Sequence, residues 1–447
     1  MIVMKFGGSS VANAQRLRSI EKIIHSRLSL KPVLVLSAMG DTTDHLLQAA
    51  DDALKIGAAG VEKSIEKLTE NHISCLTELG LAQSGMPIIA PLLKELGSLL
   101  TGISLTKELT GRTKDYLVSF GERLSVRLAA LYFKECGINA LPLDAWDAGF
   151  ISDSNASNAE ILPESSKLIP QKILPLVENG VVPVVTGFIA KDSGGIITTL
   201  GRGGSDLSAT MIAAFCMAEE VQVWKDVDGI LSADPRIVPN AHTVDAVSYE
   251  EAAELAYYGA QVLHPRAMQP CIKTGTIVRV KNSYNPESPG SIITKTVPFT
   301  GNFVRSVTTR SNVTLVHIVS SRMLGQHGFL AEVFAIFARY GISVDMVATS
   351  EVSVSITLDS VYDLTAAAEE LSRIAGVEIK NKKAIVTVVG NLEKPPQLLE
   401  KISSVCAKLD IKIQMISQGA SKVNISFIVE ESQAKQVVQA LHKKFFD

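Results

Sequence analysis

The sequence predicts an α/β protein with a large three-layer αβα domain, whose central sheet is mostly parallel, followed by two small α/β modules. Short apolar runs alternate with amphipathic helical stretches over the first two-thirds of the 447 residues, as in a parallel sheet covered by helices on both faces. After about residue 300 this pattern gives way to a weak internal repeat with a period of about 70 residues. At roughly 150 residues per domain, the length agrees with three domains.

In the first part, short continuous apolar runs indicate strands, and apolar residues recurring every three or four positions indicate helices. A long helical region is predicted from about Asp41 to Glu108, with breaks near Gly80 and Pro87. The predicted strands are Ile2–Phe6, Val33–Leu36, Asn139–Leu143, Val181–Thr186, Val221–Trp224 and Ile277–Val280. The other predicted helices cover Leu17–Leu28, Glu122–Glu135, Ser205–Met217 and Tyr249–Tyr257.

The C-terminal repeat consists of two similar segments, Ile342–Val347 and Ile411–Ile416, each lying between a predicted helix and an alternating strand. The second copy ends in a helix and lacks a final strand, so we predict that the apolar segment Phe303–Val307 supplies it. The predicted helices are Phe329–Tyr340, Gln397–Leu409 and Ser432–Phe446, and the alternating strands are Val352–Leu358 and Lys422–Ile428.

Composition excludes several classes of protein. Lys and Arg total 43 against 46 Asp and Glu, a net charge of −3, which argues against a nucleic-acid-binding surface. The longest uncharged stretch, Leu79–Leu93, is shorter than the roughly 20 residues of a membrane-spanning helix, and the N-terminus lacks a secretory signal pattern. The five cysteines are scattered and never in CxxC spacing, which favours reduced thiols in a cytoplasmic protein.

Three glycine-rich turns follow predicted strands, at Lys5–Ser10, Ser37–Thr43 and Leu200–Asp206. Glycines before a helix allow backbone N–H groups to approach an anion, and the helix dipole favours negative charge there. Three such turns in one domain, two of them with a basic residue, indicate a polyphosphate site. None fits GxxxxGK[ST] or a dinucleotide GxGxxG after a strand, which disfavours P-loop and Rossmann enzymes.

Two charged residues in these turns could serve phosphoryl transfer. Lys5 ends the first strand and could neutralise charge on the β- and γ-phosphates, although a lysine at a strand end can equally be only solvated. Asp206 lies near a helix start, where an acid needs no further role; as a site residue it could orient Lys5 or help to hold Mg²⁺.

Five motifs, taken together, resemble the signatures of aspartate kinases, which have the amino-acid-kinase fold, and the C-terminal modules resemble the ACT regulatory pair of that family. The motifs are Lys5–Val11, Ser119–Glu122, Gly201–Asp206, Asp226–Gly229 and Asp234–Arg236. They occur in the family's order along the whole chain. The resemblance implies a catalytic domain over 1–295, a first ACT domain over 312–383 and a second over 384–447 that includes a strand at about 302–308.

The resemblance also implies roles for individual residues. Lys5 would stabilise the transferring phosphoryl group and Asp206 would organise that lysine. Arg202 would pair with the carboxylate of the substrate, and Glu122 with its α-ammonium, while Ser37 and Thr43 would also contact the substrate. The nucleotide would be held by Lys5, Gly7, Gly8, Ser9, Gly203, Gly204, Lys225, Asp226, Asp234 and Arg236.

Two positions depart from the family pattern. The family often has a lysine that reaches the nucleotide where this chain has Gln261, and often a threonine where this chain has Lys225. We hypothesise that Lys225 partly replaces the positive charge missing at Gln261.

The ACT pair implies regulation by a small amino acid, and the long helical insertion before Glu122 resembles that of lysine-sensitive aspartate kinases. Gly325–His327 departs from the usual loop, so the identity of the effector and the number of its sites stay open. An ACT pair that serves only dimerisation is the alternative. The predicted effector site comprises Met323, Gly328, Phe329, Leu330, Val344, Asp345, Ser350 and Glu351.

The implied reaction is phosphorylation of the aspartate β-carboxylate by ATP with Mg²⁺, which gives 4-phospho-L-aspartate and ADP on the route to lysine, diaminopimelate, threonine and methionine. No tightly bound cofactor, metal-ligand set, nucleic-acid partner or membrane association is predicted. We expect a cytoplasmic homodimer formed through the ACT domains, with pairing into tetramers left open. A kinase for another amino acid, such as glutamate, and a non-catalytic amino-acid sensor are the rival functions.

Overall fold

The computed structural model describes residues 1–258, 263–297, 303–323, 327–392, 395–419 and 423–447. The chain forms two compact units, Met1–Ile230 with Val262–Thr296, and Leu231–Gln261 with Val297–Asp447. This division differs from the predicted catalytic boundary at residue 295, because residues 231–261 pack in the second unit. There, the N–H of Val307 donates to the Ser232 carbonyl at 2.9 Å and the Thr308 hydroxyl donates to the Tyr258 carbonyl at 2.6 Å.

The strands are β1 (Ile2–Phe6), β2 (Pro32–Leu36), β3 (Ala140–Leu143), β4 (Ile151–Ser152), β5 (Val182–Thr186), β6 (Ile189–Asp192), β7 (Ile197–Thr199), β8 (Glu220–Lys225), β9 (Ala246–Ser248), β10 (Ile277–Asn282), β11 (Ser291–Thr294), β12 (Val304–Val319), β13 (Val347–Thr349), β14 (Ser353–Asp359), β15 (Gly376–Gly390), β16 (Met415–Ser417) and β17 (Asn424–Glu430). The helices are α1 (Ala14–His25), α2 (Thr42–Lys55), α3 (Ala58–Glu78), α4 (Ala82–Thr106), α5 (Gly111–Glu135), α6 (Ser165–Glu178), α7 (Gly204–Phe215), α8 (Tyr249–Tyr257), α9 (Pro265–Thr274), α10 (Phe329–Arg339), α11 (Thr365–Ser372), α12 (Pro395–Lys408) and α13 (Glu431–Phe446).

The first unit contains a central sheet in the order β3-β5-β2-β1-β8-β10-β11. Neighbours from β3 to β10 are parallel, and only β11 runs antiparallel to β10. Every residue of β1 and β2 is buried, as expected for a parallel sheet that is covered on both faces. A small second sheet has the order β4-β6-β7. The predicted α/β class and parallel sheet are confirmed.

The helical insertion α2–α5 differs in detail from the prediction. The breaks lie at Gly57 and Gly80, both with positive φ, and not at Pro87, which is inside α4. The break predicted at Pro87 is therefore wrong, because α4 continues through it while packing between α3 and α5. By length and composition alone, α4 could cross a membrane, but an apolar core helix meets the same criteria. The helix predicted at Glu122 starts earlier, at Gly111.

The second unit contains a six-stranded antiparallel sheet in the order β13-β14-β12-β15-β17-β16. Strand β12 is long enough to pair with β15 along both halves: residues 304–310 face 385–390, and residues 313–319 face 376–383. The apolar faces of α10 and α11 pack on one half of the sheet, and those of α12 and α13 on the other. Two small α/β modules thus share one sheet, and each has its own helix layer.

Candidate active site

A cavity of about 750 Å³ lies in the first unit, beside the carboxyl ends of β1 and β2 and the amino end of α7. This is the end of a parallel sheet at which ligands bind in open α/β folds. The cavity collects most of the residues predicted for catalysis and substrate binding. Those in its lining are Lys5, Gly8, Ser37, Thr43, Glu122, Arg202, Gly203, Gly204 and Asp206.

Two of the predicted glycine-rich turns are in direct contact at the edge of this cavity. The N–H of Gly40 donates to the Gly8 carbonyl at 3.0 Å. A Cβ atom at Gly8 would lie 2.9 Å from the Gly40 oxygen and 3.1 Å from the Ala38 oxygen, so only glycine fits there. The third turn contains Gly203, whose φ of 74° is left-handed. The close backbone contact at Gly8 and the left-handed φ of Gly203 explain why these turns require glycine.

The Lys5 ammonium lies 2.6 Å from Asp206 Oδ1, and both side chains are only 8% exposed. Lys225, at the end of β8, brings a second ammonium to 3.7 Å from Asp206 Oδ2. Burial alone would raise the pKa of Asp206, but the two lysines outweigh burial and lower it below its ordinary value. Burial lowers the pKa of Lys225, and the nearby charge of Lys5 lowers it further. Two ammonium groups therefore share one ionised carboxylate at the predicted phosphate site.

Glu122, on α5, is fully buried in the same cavity. Its Oε1 accepts the N–H of Ala38 at 3.1 Å, whereas Oε2 is buried and has no hydrogen-bond partner. Burial raises the pKa of Glu122 to about 8, opposed in part by the Ala38 N–H and by the charge of Lys5. A buried carboxylate with an unused oxygen is poised to accept a cationic donor from a ligand.

The remaining predicted nucleotide residues are placed differently. Asp226 is exposed at the end of β8, and a Cβ atom at Gly7 would lie 3.6 Å from Lys5 Nζ. Ser9 is exposed, and its carbonyl accepts the hydroxyl of Tyr284 at 3.4 Å.

Asp234 and Arg236 belong to the second unit, where Arg236 donates to both carboxylate oxygens of Asp234. Gln261 lies outside the described residues.

Asp115 is among the lining residues that the sequence analysis did not single out. Asp115 lies seven residues before Glu122, two turns earlier on the same face of α5. Its carboxylate accepts the N–H groups of Ser157 and Thr199 and both of their hydroxyls, at 2.8 to 3.2 Å. It thereby ties α5 to the strand β7, through Thr199, and to the loop between β4 and α6, through Ser157. Its two-turn spacing from Glu122 is visible in the sequence, but that spacing alone does not mark a site residue.

The predicted effector residues lie in the half of the second unit formed by β12–β14 and α10. Gly328 caps the start of α10 with a φ of 87°, followed by Phe329 and Leu330, while Ser350 and Glu351 form the turn between β13 and β14. The loop that carries Met323 begins at Ser320, whose N–H donates to the Val352 carbonyl at 2.9 Å. Gly325 and Gln326 lie outside the described residues.

Asp345, also predicted for the effector site, is already engaged. Its side chain is 5% exposed, lies 3.3 Å from Arg310 Nη1 and accepts the hydroxyl of Tyr257. Tyr257 is the last residue of α8, so this contact connects the predicted effector site to α8. Sequence reasoning could not have found it, because Tyr257 and Asp345 are far apart in the chain.

Comparisons with known proteins agree with this fold and site. Residues 1–282 match the amino acid kinase family, and residues 316–373 and 386–445 match the ACT domain. The whole chain is 48% identical to aspartokinase 1, chloroplastic, of Arabidopsis thaliana and covers 80% of that protein. Escherichia coli aspartokinase III, solved in complex with aspartate and ADP (R-state), matches over 100% of both chains with a TM-score of 0.85 and 31% identity. Its complex with lysine and aspartate (T-state) matches over 100% of both chains with a TM-score of 0.84 and 32% identity.

The fold and the phosphate-type site define a kinase of the amino acid kinase family with C-terminal ACT domains. Both resemblances inferred from the sequence are thereby confirmed. The sequence identity to aspartokinases extends over the whole chain. The chain therefore belongs to the aspartokinases within that family.

Proposed function

We propose that the chain transfers the γ-phosphoryl group of MgATP to the β-carboxylate of L-aspartate, giving 4-phospho-L-aspartate and ADP. This reaction would open the route to lysine and diaminopimelate, threonine and methionine. The observation that carries the proposal is the single cavity in which the Lys5–Asp206 pair lies together with the unpaired Oε2 of Glu122. One end suits phosphate oxygens and the other an α-ammonium group.

Glu122 would form the amino-acid end of the site. An α-ammonium beside Oε2 would supply the missing donor and would favour the ionised carboxylate, since a nearby positive charge lowers the pKa of an acid. Arg202, which is exposed in the same lining, offers a planar fork suited to a carboxylate. Ser37 and Thr43 supply hydroxyl groups from the second turn. A compact amino acid with a second carboxylate fits these groups.

Lys5 would form the phosphoryl end of the site. The acceptor carboxylate of aspartate is ionised at neutral pH, so transfer needs no general base and depends on positioning and charge stabilisation. Lys5 supplies a buried cation, and Asp206 fixes its position at 2.6 Å. Lys225 adds a second positive charge to the same place.

We propose that Mg²⁺ enters with the nucleotide as part of the substrate. Among the described residues, no cluster of three or more His, Cys, Asp or Glu side chains could hold a metal ion. Asp206, the buried carboxylate at the phosphate end, is already paired with Lys5 and Lys225. The ATP phosphates, and not protein side chains, would therefore supply most of the ligands of the ion.

The reaction is tested by trapping the acyl phosphate with hydroxylamine in the presence of MgATP. Aspartate should give the hydroxamate, glutamate should give little, and Lys5→Ala should give none while remaining folded. Preference for glutamate would support the rival amino-acid kinase. A folded wild-type chain that binds aspartate without forming any hydroxamate would support the non-catalytic sensor.

We further propose feedback regulation by lysine at the predicted effector site. The E. coli enzyme whose structure matches this fold was solved with lysine in its T-state. In this chain a lysine ammonium would have to compete with Tyr257 and Arg310 for Asp345. Displacing Tyr257 would free the end of α8.

The proposed assembly is a homodimer through the ACT domains in the cytoplasm. The edge strands β13 and β16 of the shared sheet expose apolar side chains, Val347 at 36% and Ile416 at 43%. Such edges can pair with a second copy. All five cysteines are free, which suits a reducing compartment. Sedimentation of the full chain with and without lysine tests the dimer and any tetramer.

A further inference from the structure

A second cavity, of about 510 Å³, lies on another face of α5 in the first unit. Arg112, Tyr116 and Arg123 of α5 line it, whereas Asp115 and Glu122 of the same helix line the candidate active site. Arg112, Tyr116 and Arg123 are spaced by four and seven positions and share one side of α5, whereas Asp115 and Glu122, seven positions apart, share another. The second cavity has no lining residue in common with the first and is a distinct space.

The lining of this cavity contains more cationic side chains than carboxylates. Arg112, Arg123 and Lys191 line it, against one carboxylate, Glu95. Glu95 accepts the hydroxyl of Tyr116 and receives Arg123 Nη2 at 3.4 Å. Three cations therefore share a single carboxylate in the lining.

Arg123 has unused donors in this place. Its side chain is 11% exposed, and its Nε and Nη1 are buried with no hydrogen-bond partner. Buried N–H groups without an acceptor are unfavourable, and an oxyanion is the acceptor that an arginine fork fits best. Glu95 thus leaves two N–H donors of Arg123 unsatisfied, and the guanidinium keeps a positive charge that an anion beside it would stabilise.

Neighbouring carboxylates are already committed elsewhere. Asp144 forms a bidentate pair with Arg127 at 2.8 and 2.9 Å. Asp192, which lies near Arg112, accepts the N–H groups of Gly194 and Ile196 and the hydroxyl of Ser154. Neither carboxylate occupies the unpaired donors of Arg123.

The rest of the lining is apolar or aromatic. Leu99, Ile197, Tyr116 and Trp146 form walls, and the ammonium of Lys191 lies 3.9 Å from the centre of the Trp146 ring. The volume lies within the range of about 300 to 1,000 Å³ that small-molecule sites show and is larger than a bare phosphate requires. A ligand here would thus combine an oxyanion with an apolar body.

We propose that this cavity is a second small-molecule site of the kinase unit, which binds a small organic anion. Its carboxylate or phosphate group contacts Arg123, with Arg112 and Lys191 nearby, and its apolar part packs against Tyr116, Leu99 and Ile197. Because α5 also carries Glu122, a ligand bound in this cavity affects the amino-acid end of the active site through the same helix.

Trp146 makes the proposal testable without measuring turnover. The sequence has two tryptophans, and Trp224 is fully buried in the central sheet, so Trp224→Phe leaves Trp146 as the only one. The full chain, saturated with MgADP and aspartate to occupy the active site, is titrated with benzoate, phenyl phosphate, inorganic phosphate and benzyl alcohol. If Trp224→Phe does not fold, the difference between wild type and Trp146→Phe gives the same signal.

We expect a saturable change of Trp146 fluorescence with benzoate or phenyl phosphate, and a response to inorganic phosphate or benzyl alcohol that is at least about tenfold weaker. A response to benzoate alone assigns a carboxylate ligand, and one to phenyl phosphate alone a phosphate ligand. Arg123→Gln and Lys191→Gln should each weaken binding about tenfold, whereas Lys172→Gln, on the exposed face of α6, should not.

Three results would contradict the proposed anion site. These are no saturable response to either aromatic anion, equal binding of benzyl alcohol, and unchanged affinity in both Arg123→Gln and Lys191→Gln when circular dichroism shows them folded. Since the readout is binding at Trp146, failure of the proposed kinase reaction would leave this test unaffected.

Discussion

The ammonium group of Lys225 lies 3.7 Å from the Asp206 carboxylate, which also forms an ion pair with Lys5. A residue that the family pattern often fills with threonine thus places positive charge at the phosphate end of the cavity. This position agrees with the hypothesis that Lys225 compensates for Gln261, although Gln261 itself lies outside the described residues.

Lys225→Thr should raise the KM for ATP about tenfold, because a cation near the phosphates is lost, and should change the KM for aspartate little. Initial rates over a range of ATP and aspartate concentrations provide the measurement. Lys225→Arg keeps the charge and serves as the control. An unchanged KM for ATP in Lys225→Thr would remove the basis for the compensation.

Glu122→Gln should raise the KM for aspartate about a hundredfold, because a neutral amide binds an ammonium far less strongly than a carboxylate does. In the wild type, this KM should fall as the pH rises toward 8, where Glu122 ionises. The variant should lack that dependence. Glu135→Gln, exposed at the end of the same helix, is the matched control.

The same substitution should stabilise the fold at high pH. The pKa of Glu122 is raised from 4.5 to about 8 on folding, so wild-type stability decreases as the pH rises from about 4.5 to 8 and stays low above 8. Glu122→Gln removes this loss, and we expect a gain of roughly 2 to 4 kcal/mol at pH 9 with little gain at pH 4.5. Thermal unfolding at both pH values measures it. Equal effects at the two pH values would contradict the buried ionisation.

Gly8→Ala should destabilise the kinase unit and weaken ATP binding, since its Cβ would lie 2.9 Å from the Gly40 oxygen. We expect a loss of about 1–3 kcal/mol, the usual cost of overpacking. Gly7→Ala is the matched control, because its Cβ would make only ordinary contact at 3.6 Å. Denaturant unfolding of both variants gives the comparison, and equal stabilities would show that the two turns can separate freely.

Tyr257→Phe should lower the lysine concentration needed for half inhibition several-fold, because Asp345 would lose the hydroxyl that competes with the effector. Asp345→Asn should abolish the inhibition without lowering the uninhibited rate. Tyr340→Phe, whose exposed hydroxyl donates to Glu370 in the same unit, is the control. Retained inhibition in Asp345→Asn would exclude this carboxylate from the effector site.

Much of the candidate site could be predicted from short segments of sequence. The glycines at 8 and 203 stand where backbone approach or a left-handed φ is required, and such local requirements are visible in a turn motif. Lys5 and Asp206 were found because each adjoins such a turn. Asp115 was not, because four hydrogen bonds to residues 42 and 84 positions away leave no local pattern.

The sequence by itself determined the fold class, the duplicated C-terminal module and the three phosphate-type turns, because periodicity and turn chemistry act over a few residues. Only the tertiary structure decided that Glu122 keeps one oxygen unpaired, that Lys225 joins Asp206, and that Tyr257 holds Asp345. These features depend on burial and on distances between residues remote in the chain. Such distances arise only when the strands and helices pack, so no local segment encodes them.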